Sequence, residues 1–211
     1  MFLFRYNIVT FFEQMMNNNQ IKIIREKLVL YRNVFIPKEL LEKILMKFAP
    51  SYTITDLCRK KVIRPLKRGG DTYINTLSQE FQDPYQTAAK YFDGELYAFG
   101  GLGVYASYGY STQVIEWYTV YNTQVSGKRI IGNAKYIFRK QRESFFYGIT
   151  TEKNIFGKYQ ILSKERAFIQ MLREGKIWKS LPKNIDREKL LKLAKQHASV
   201  AIYQKIQSLY S

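Results

Sequence analysis

The chain has 211 residues, 46% of them hydrophobic, so it is long and apolar enough to bury a core, and global disorder is excluded. Its 34 Lys and Arg against 17 Asp and Glu give a net charge of +17, which favours a polyanionic partner: DNA, RNA or an anionic membrane face. A basic protein without such a partner is the alternative. The single cysteine, Cys58, excludes a disulfide framework and is consistent with a reducing, cytoplasmic setting.

The N-terminal segment, residues 1–20, is apolar up to Met16 and polar over 17-NNNQ-20. Its apolar part is too short to cross a bilayer, is interrupted by two charged residues, and lacks a small-residue cleavage site. We therefore expect neither a membrane span nor a signal peptide. The segment is interpreted either as an arm or as a mis-assigned start, with residues 1–14 upstream of the native one.

Three short helices and a two-stranded hairpin are predicted next. The first helix begins at residue 21, and the second, 37-PKELLEKILMKFA-49, opens with proline at its first helical position. The third is 53-TITDLCRKK-61, and the strands 62-VIRPL-66 and 72-TYIN-75 are joined through a double glycine. This order predicts an N-terminal winged helix-turn-helix domain, residues 21–76. In such a domain the third helix enters the major groove and the hairpin, or wing, follows the flanking backbone.

The end of the third helix and the wing are strongly basic. Six Lys and Arg lie in the ten positions from Arg59 to Arg68, and no acid interrupts them. Cations are needed at these two places because the DNA phosphates pass there. We predict base contacts from Thr53, Thr55 and Arg59, and phosphate contacts from Lys60, Lys61, Arg64, Lys67 and Arg68. The alternative is a solvated basic face with no ligand.

A polar stretch, residues 76–83, precedes a second domain, residues 84–211, which we expect to be a mixed α+β domain. Its first helix begins at Pro84 with Asp83 as the cap, and no Lys or Arg occurs from Tyr91 to Gly127. Strands are predicted at 114–121, 134–140, 145–149 and 159–162, and helices at 163–174, 186–198 and 199–210. The predicted fold class of the whole chain is therefore α+β.

The second domain contains another basic stretch without acids. Its members are Lys128, Arg129, Lys135, Arg139, Lys140 and Arg142. On a strand, Lys135, Arg139 and Arg129 would share the solvent side, opposite Tyr136 and Phe138. The stretch is interpreted as a second DNA-backbone contact or a surface for RNA or an acidic partner; the alternative is the charged outer face of a half-buried sheet.

Other motifs favour structural roles. The segment 101-GLGVYA-106 fits the loose dinucleotide pattern but lacks the acid expected about twenty residues later, so its glycines are interpreted as a close helix–sheet contact. Ser163 and Glu165 mark a helix start, and Arg166 is expected to reach a carboxylate or a backbone carbonyl. His197 is the only histidine and has no ligand cluster or nucleophile beside it. We predict no metal, no cofactor and no enzymatic activity.

The order of motifs over residues 21–210 resembles that of the AbiEi-type antitoxins of type IV, or abortive-infection, toxin–antitoxin systems. The similar segments are 62-VIRPLKRGGDTYIN-75, 97-YAFGGLGVYASYGYSTQ-113, 161-ILSKERAFIQML-172 and the closing pair of helices. One position departs from the family pattern. Tyr108 stands where the family commonly has histidine, so the role of that histidine is not transferred to this chain.

The resemblance implies a winged-helix domain that binds double-stranded DNA at inverted repeats in the promoter of its own operon, and a second domain with the antitoxin activity. It also implies a neighbouring gene for a nucleotidyltransferase-like toxin, which the antitoxin opposes without a stable complex. Two alternatives stay open. The chain acts mainly through its C-terminal domain, on the toxin or on the toxin's RNA substrate, or it is a winged-helix regulator unrelated to a toxin.

Overall fold

The computed structural model describes residues 19–31, 33–175, 182 and 184–210. The chain divides into two compact units, one that ends at Gln82 and one that begins at Asp83. Residues 1–18, for which the sequence predicted an arm or a mis-assigned start, lie outside the described residues. Among those that are described, no helix is long and apolar enough to cross a membrane. Helices together with a three-stranded and a six-stranded sheet make the fold a mixed α+β one, which confirms the predicted class at that level.

The first unit combines helices with three short strands. Its elements are α1, which includes residues 19–30, β1 (Phe35–Pro37), α2 (Lys38–Phe48), α3 (Ile54–Arg59), β2 (Ile63–Pro65) and β3 (Thr72–Asn75). The strands form an antiparallel sheet in the order β1-β3-β2. The predicted helices and the β2–β3 hairpin are confirmed, whereas β1 is too short to give a sequence period. The helical position predicted for Pro37 is wrong, because this residue ends β1 and precedes α2.

The core of the first unit lies where the three helices meet the sheet. Leu28 of α1, Leu41 of α2 and Leu57 of α3 are fully buried there. Burying each such side chain contributes about 1.5–3 kcal/mol. Asn75 ties the sheet to the end of α1, since its buried side-chain amide donates hydrogen bonds to the carbonyl oxygens of Leu28 at 2.8 Å and Tyr31 at 3.1 Å. This core fixes the position of α3 relative to the hairpin.

The second unit is built on a mixed sheet of six strands. Its helices are α4 (Pro84–Tyr91), α5 (Gly101–Ser107), α6 (Lys164–Arg173), α7 (Arg187–His197) and α8 (Val200–Ser208). Its strands are β4 (Tyr97–Gly100), β5 (Tyr118–Asn122), β6 (Gly127–Ile131), β7 (Ala134–Lys140), β8 (Ile149–Asn154) and β9 (Gly157–Leu162). The strand order is β6-β7-β5-β4-β9-β8. The pairs β5–β7 and β4–β9 are parallel, and the other neighbours are antiparallel.

Different helices cover the two faces of this sheet. On one face the Tyr85 ring of α4 packs on Phe99 of β4, with ring centroids 4.6 Å apart. Phe99 pairs with Val120 across the sheet, so the next residue, Tyr121, points to the opposite face. On that face the Tyr121 hydroxyl donates to Glu174 Oε1 at 3.0 Å, directly after α6. Aromatic side chains therefore fill the core on both sides of the sheet.

Gly101, the first residue of α5, lets this helix approach the sheet closely. A Cβ atom on Gly101 would lie 2.6 Å from Thr119 Oγ1, and Gly101 has φ +67°, a left-handed conformation that favours glycine. This close contact confirms the structural interpretation of 101-GLGVYA-106. The strands that α5 connects, β4 and β5, are antiparallel, whereas a dinucleotide-binding unit needs a crossover helix between parallel strands.

Two strand predictions in the second unit need correction. The segment 145–149 is not a strand: Glu143–Phe145 forms a 3₁₀ turn, and β8 begins only at Ile149. Its aromatic side chains stack on a buried arginine instead of alternating across a sheet. Residues 114–117 also lie outside β5. The strands β6 and β8 were not predicted from the sequence, and four of the five β6 residues are exposed, which leaves no alternation to detect.

Candidate nucleic-acid interface

Helix α3 begins with a capping box formed by Thr53 and Asp56. The Thr53 hydroxyl accepts a hydrogen bond from the Asp56 backbone N–H at 3.3 Å and donates one to Asp56 Oδ2 at 2.6 Å. The Thr53 backbone N–H donates to the same carboxylate at 3.0 Å. These hydrogen bonds from Thr53 hold the pKa of Asp56 below its ordinary value. The hydroxyl proton of Thr53, a predicted base contact, is therefore engaged in fixing the start of α3.

The exposed side of α3 carries the other two predicted base contacts. Thr55 and Arg59 are one turn apart and exposed, whereas Leu57 faces the core. The side chain of Arg59 is 76% accessible and pairs with Asp56 at 3.2 Å. An exposed ion pair of this kind contributes little to stability. Thr55 and Arg59 thus share the solvent-exposed side of α3.

A left-handed lysine ends α3. The Lys61 N–H donates to the Cys58 carbonyl at 3.0 Å and the Val62 N–H to the Leu57 carbonyl at 3.0 Å, which are the two bonds of a Schellman motif. Lys61 occupies the position that usually holds glycine, with φ +56°. This conformation costs a non-glycine residue about 1–2 kcal/mol. Lys60 and Lys61 are both exposed, between α3 and β2. The Nζ of Lys60 lies 5.6 Å from the centroid of the Tyr52 ring.

The tip of the hairpin is a tight turn from Lys67 to Gly70. The Gly70 N–H donates to the Lys67 carbonyl at 3.1 Å, and Gly69 has φ +73°, as the third residue of a type II turn requires. Arg68 is exposed at the second turn position, and Lys67 is half-buried. Arg64 pairs with Ile74 and is also half-buried, on the face of the sheet opposite to Ile63.

Lys38 is a basic residue beside the hairpin that the sequence prediction omitted. Its Nζ lies 3.9 Å from Asp71 of the hairpin and 3.9 Å from Glu42, and its backbone N–H donates to the Asp71 carbonyl at 2.7 Å. The pairing of Pro37 with Thr72 brings these groups together. No local sequence signal indicates this contact, because it depends on the unpredicted strand β1.

In the second unit the strand cations have internal partners. Lys135 forms an ion pair with Glu116, which lowers the pKa of that carboxyl, and its Nζ lies 5.6 Å from the Trp117 ring centroid. Lys128 lies 5.1 Å over the same ring, and Arg139 pairs with Glu174 at 3.6 Å. The basic stretch is therefore partly neutralised by residues from other parts of the chain.

The register of β6 and β7 changes the predicted grouping of this stretch. Lys128 lies opposite Ile137, so it shares a face with Lys135 and Arg139, whereas Arg129 lies opposite Tyr136. The prediction that Arg129 joins Lys135 and Arg139 is wrong, and Lys128 takes that place. Lys140 and Arg142 lie apart from this group, at the end of β7 beside a cavity.

The start of α6 is more deeply buried than the sequence indicated. Ser163 caps it by accepting a hydrogen bond from the Arg166 N–H at 3.3 Å, and Glu165 pairs with Lys189 at 3.0 Å. Arg166 is fully buried and donates to the side-chain oxygen of Gln170 at 3.0 Å, so the expected carboxylate or backbone partner is wrong. Its burial lowers the pKa of Arg166, although the group stays charged.

Tyr108 lies directly after α5. Its hydroxyl lies 2.9 Å from the Leu162 carbonyl and 3.1 Å from Glu152 Oε1, and burial raises the pKa of this phenol. The residue thus joins the segment after α5 to the end of β9.

Comparison with known proteins extends the description of the fold. No family model matches the chain, and no curated protein is similar to it. Among solved structures, the chain is similar to the RV2827C protein from Mycobacterium tuberculosis, with a TM-score of 0.57 and 13% sequence identity. The match covers 90% of this chain and 75% of that one. At this identity the similarity concerns the fold alone.

Proposed function

We propose that the protein is a DNA-binding transcriptional autorepressor and the antitoxin of a type IV toxin–antitoxin pair. Its first unit would be a winged-helix domain, with α3 as the reading helix and the β2–β3 hairpin as the wing. The observation that carries the DNA-binding part is the placement of cations at the end of α3 and at the hairpin turn, on a unit whose core fixes both elements.

The two sets of side chains have different tasks in this proposal. Thr55 and Arg59 would read base edges in the major groove, and the capping box of Thr53 holds their helix in position. Lys60, Lys61, Arg64, Lys67 and Arg68 would neutralise phosphates on either side. Each neutralised phosphate releases condensed counterions, so affinity should fall steeply as the salt concentration rises.

A salt titration of DNA binding tests the role of the wing. Alanine at Lys67 and Arg68 should weaken binding to promoter and unrelated DNA alike and reduce the slope of log K against log salt by about two units. The matched control is alanine at Lys153 and Lys158, two exposed lysines that lie opposite each other on β8 and β9 of the second unit. Gel-shift or anisotropy measurements give both slopes. An unchanged slope in the wing variant would remove the wing from the interface.

The antitoxin part of the proposal rests on the resemblance of the ordered motifs to AbiEi-type antitoxins. This part predicts a nucleotidyltransferase-like reading frame beside this gene, whose toxicity coexpression of the protein should relieve. Absence of such a reading frame, or growth that is not restored, would contradict it. DNA binding without rescue would leave a winged-helix regulator unrelated to a toxin.

A second candidate is an antitoxin that acts mainly through its second unit, on the toxin or on its RNA substrate. The observation that favours it is that Lys140 and Arg142 are exposed and have no ion pair among the described residues. The full-length wing variant separates the two candidates. Rescue by a variant that no longer binds DNA would show that neutralisation does not need the DNA-binding surface.

A further inference from the structure

The second unit contains a cavity at the edge of its sheet where two parallel strands end. Strands β5 and β7 run side by side and end at Asn122 and Lys140, and the Gln141 N–H after β7 donates to the Asn122 carbonyl at 2.7 Å. The cavity beside them has a volume of about 980 Å³. Small ligands occupy cavities of about 300–1,000 Å³, and in α/β sheets they bind outside the carboxyl ends of parallel strands. This cavity is open to solvent, has the volume of a ligand site and lies where two parallel strands end.

Cations dominate the charge of its lining. Lys140, Arg142 and Arg173 are the three basic residues of the lining, and Glu143 is the one acidic residue that it includes. Arg173 donates to the His197 carbonyl, and none of the three cations forms an ion pair with a described residue. Concave sites lined by one sign of charge concentrate the opposite ion, and arginine side chains match phosphate oxygens in geometry. The lining therefore suits a phosphate-bearing ligand.

One wall is formed by a stack of planar groups. The Arg166 guanidinium lies 4.4 Å from the Phe145 ring centroid and 4.4 Å from that of Tyr147. The His197 ring is 4.0 Å from Tyr147 at an interplanar angle of 16°. The Arg173 guanidinium also lies over the Tyr147 ring, at 5.9 Å, so Tyr147 is in contact with a buried arginine, a histidine ring and a second arginine.

The stack runs from the buried side chain of α6 to the cavity. Arg166 is fully buried within α6, whereas His197 is exposed at the end of α7, and Phe145, Tyr147 and His197 all line the cavity. Nucleobases stack on aromatic and histidine side chains with little dependence on base identity. The cavity therefore offers a flat platform beside a set of cations.

We infer that this cavity binds a nucleoside phosphate, with the base on the Tyr147–His197 stack and the phosphates on Lys140, Arg142 and Arg173. A free nucleotide and the terminal nucleotide of a single-stranded RNA share this chemistry. The inference goes beyond the proposed function, because the DNA-binding surface of the first unit takes no part in this site.

Binding to the full-length chain tests the site with three probes: ATP, tripolyphosphate and a short fluorescein-labelled oligoadenylate RNA. Arg142→Glu should weaken binding of all three by about tenfold or more, since it reverses a phosphate-binding charge. Lys140→Gln, at another exposed position, tests the same weakening independently. Lys153→Glu, the exposed control on β8, should change binding by less than about twofold because it lies outside the cavity lining.

The aromatic part of the site has its own readout. His197→Ala should weaken ATP and RNA binding by about tenfold and leave tripolyphosphate binding unchanged, because only the base uses the stack. Saturable ATP binding that RNA does not exceed supports a free nucleotide, and tighter RNA binding supports a strand end. The inference is overturned if neither ATP nor RNA binds saturably, or if Lys153→Glu weakens binding as much as Arg142→Glu does. It is also overturned if His197→Ala weakens tripolyphosphate binding as much as it weakens ATP binding. The wing variant at Lys67 and Arg68 should keep ATP binding, which separates this test from that of DNA binding.

Discussion

The two basic stretches, residues 59–68 and 128–142, look alike in the sequence but meet different partners in the fold. In the first, the nearest acids are Asp56, which pairs with Arg59, and Asp71, which pairs with Lys38. In the second, Lys135 pairs with a glutamate 19 residues away, and another glutamate reaches Arg139 from the end of α6. An acid-free run of sequence is therefore not an acid-free surface, because a sheet brings in residues from distant strands.

The glycine at the hairpin tip and the glycine that begins α5 also differ in what surrounds them. Gly69 lies at the hairpin tip, where an added Cβ would meet no atom within 4 Å. Gly101 has a similar positive φ, yet an added Cβ would lie 2.6 Å from Thr119 Oγ1 and 2.8 Å from Thr119 Cβ. The first glycine is required by backbone conformation alone, and the second by conformation and close packing together. The tip of the hairpin is thus surrounded by open space, whereas Gly101 is packed against β5.

The largest expected effect comes from alanine at these glycines. Gly101→Ala should lower the free energy of unfolding of the second unit by about 3 kcal/mol, from left-handed strain and overpacking combined. Gly69→Ala should cost the first unit about 1 kcal/mol, from strain alone. Both tryptophans of the chain follow residue 82, so tryptophan fluorescence reports on the second unit in urea titrations. Far-UV circular dichroism reports on both units, and the part of its change that fluorescence does not share reports on the first. If the two variants lost the same free energy of unfolding, close packing at Gly101 would add nothing to the strain that it shares with Gly69.

The next test compares the basic stretches directly. Alanine at Lys128 and Lys135 should change the salt slope of DNA binding by less than about half a unit, against about two units for the wing pair, because Trp117 and Glu116 already engage these lysines. Each pair removes two positive charges, so net charge is matched. A slope change of about two units at Lys128 and Lys135 would instead make this face a second DNA contact.

The sequence predicts those parts of the fold that local rules determine. The cap of α3 at Thr53, the turn at Gly69 and the bounds of β7 follow from side-chain type, backbone conformation and alternation over a few residues. β1 and β6 do not show such a pattern, since one has three residues and the other has four exposed positions.

The contacts within the two candidate sites were harder to predict, because they join residues that are far apart in the chain. The Phe145–Arg166–Tyr147 stack needs the turn after β7 to meet α6, and the sequence prediction placed those aromatics on a strand. Similarly, Lys38 reaches Asp71 only because β1 pairs with β3. In both cases the decisive information lies in strand pairing rather than in the local sequence.

A smaller effect is expected at the end of α3, where stability and DNA binding should change in opposite directions. Lys61→Gly should raise the free energy of unfolding of the first unit by about 1 kcal/mol, because glycine adopts φ +56° without strain. It should also reduce the salt slope of DNA binding by about one unit, since one phosphate contact is lost. Lys61→Asn, which tolerates this conformation and is also uncharged, is the matched control for the charge. A stability gain without any change in slope would exclude Lys61 from the interface.

The smallest expected effects compare Asp56 of the first unit with Glu116 of the second. Hydrogen bonds from Thr53 lower the pKa of Asp56 below 3.8, and the hydrogen bond and charge of Lys135 lower that of Glu116 below 4.5. Because the folded pKa is depressed in both cases, the stabilisation is present above these ordinary values and is lost as the pH falls through the lower folded pKa. Asp56→Asn and Glu116→Gln should each remove that acid-range dependence from their own unit.

Salt distinguishes the two carboxylates. The Glu116 contribution should shrink in high salt because it comes from an exposed ion pair, whereas the Asp56 contribution should persist because its largest cause is a hydrogen bond from a neutral hydroxyl. Urea titrations at several pH values, in low and high salt, measure both through the fluorescence and dichroism signals. If salt weakened the two contributions equally, the capping box of α3 would be held by charge. The contrast between a helix fixed by local hydrogen bonds and a sheet neutralised by distant charges would then fail.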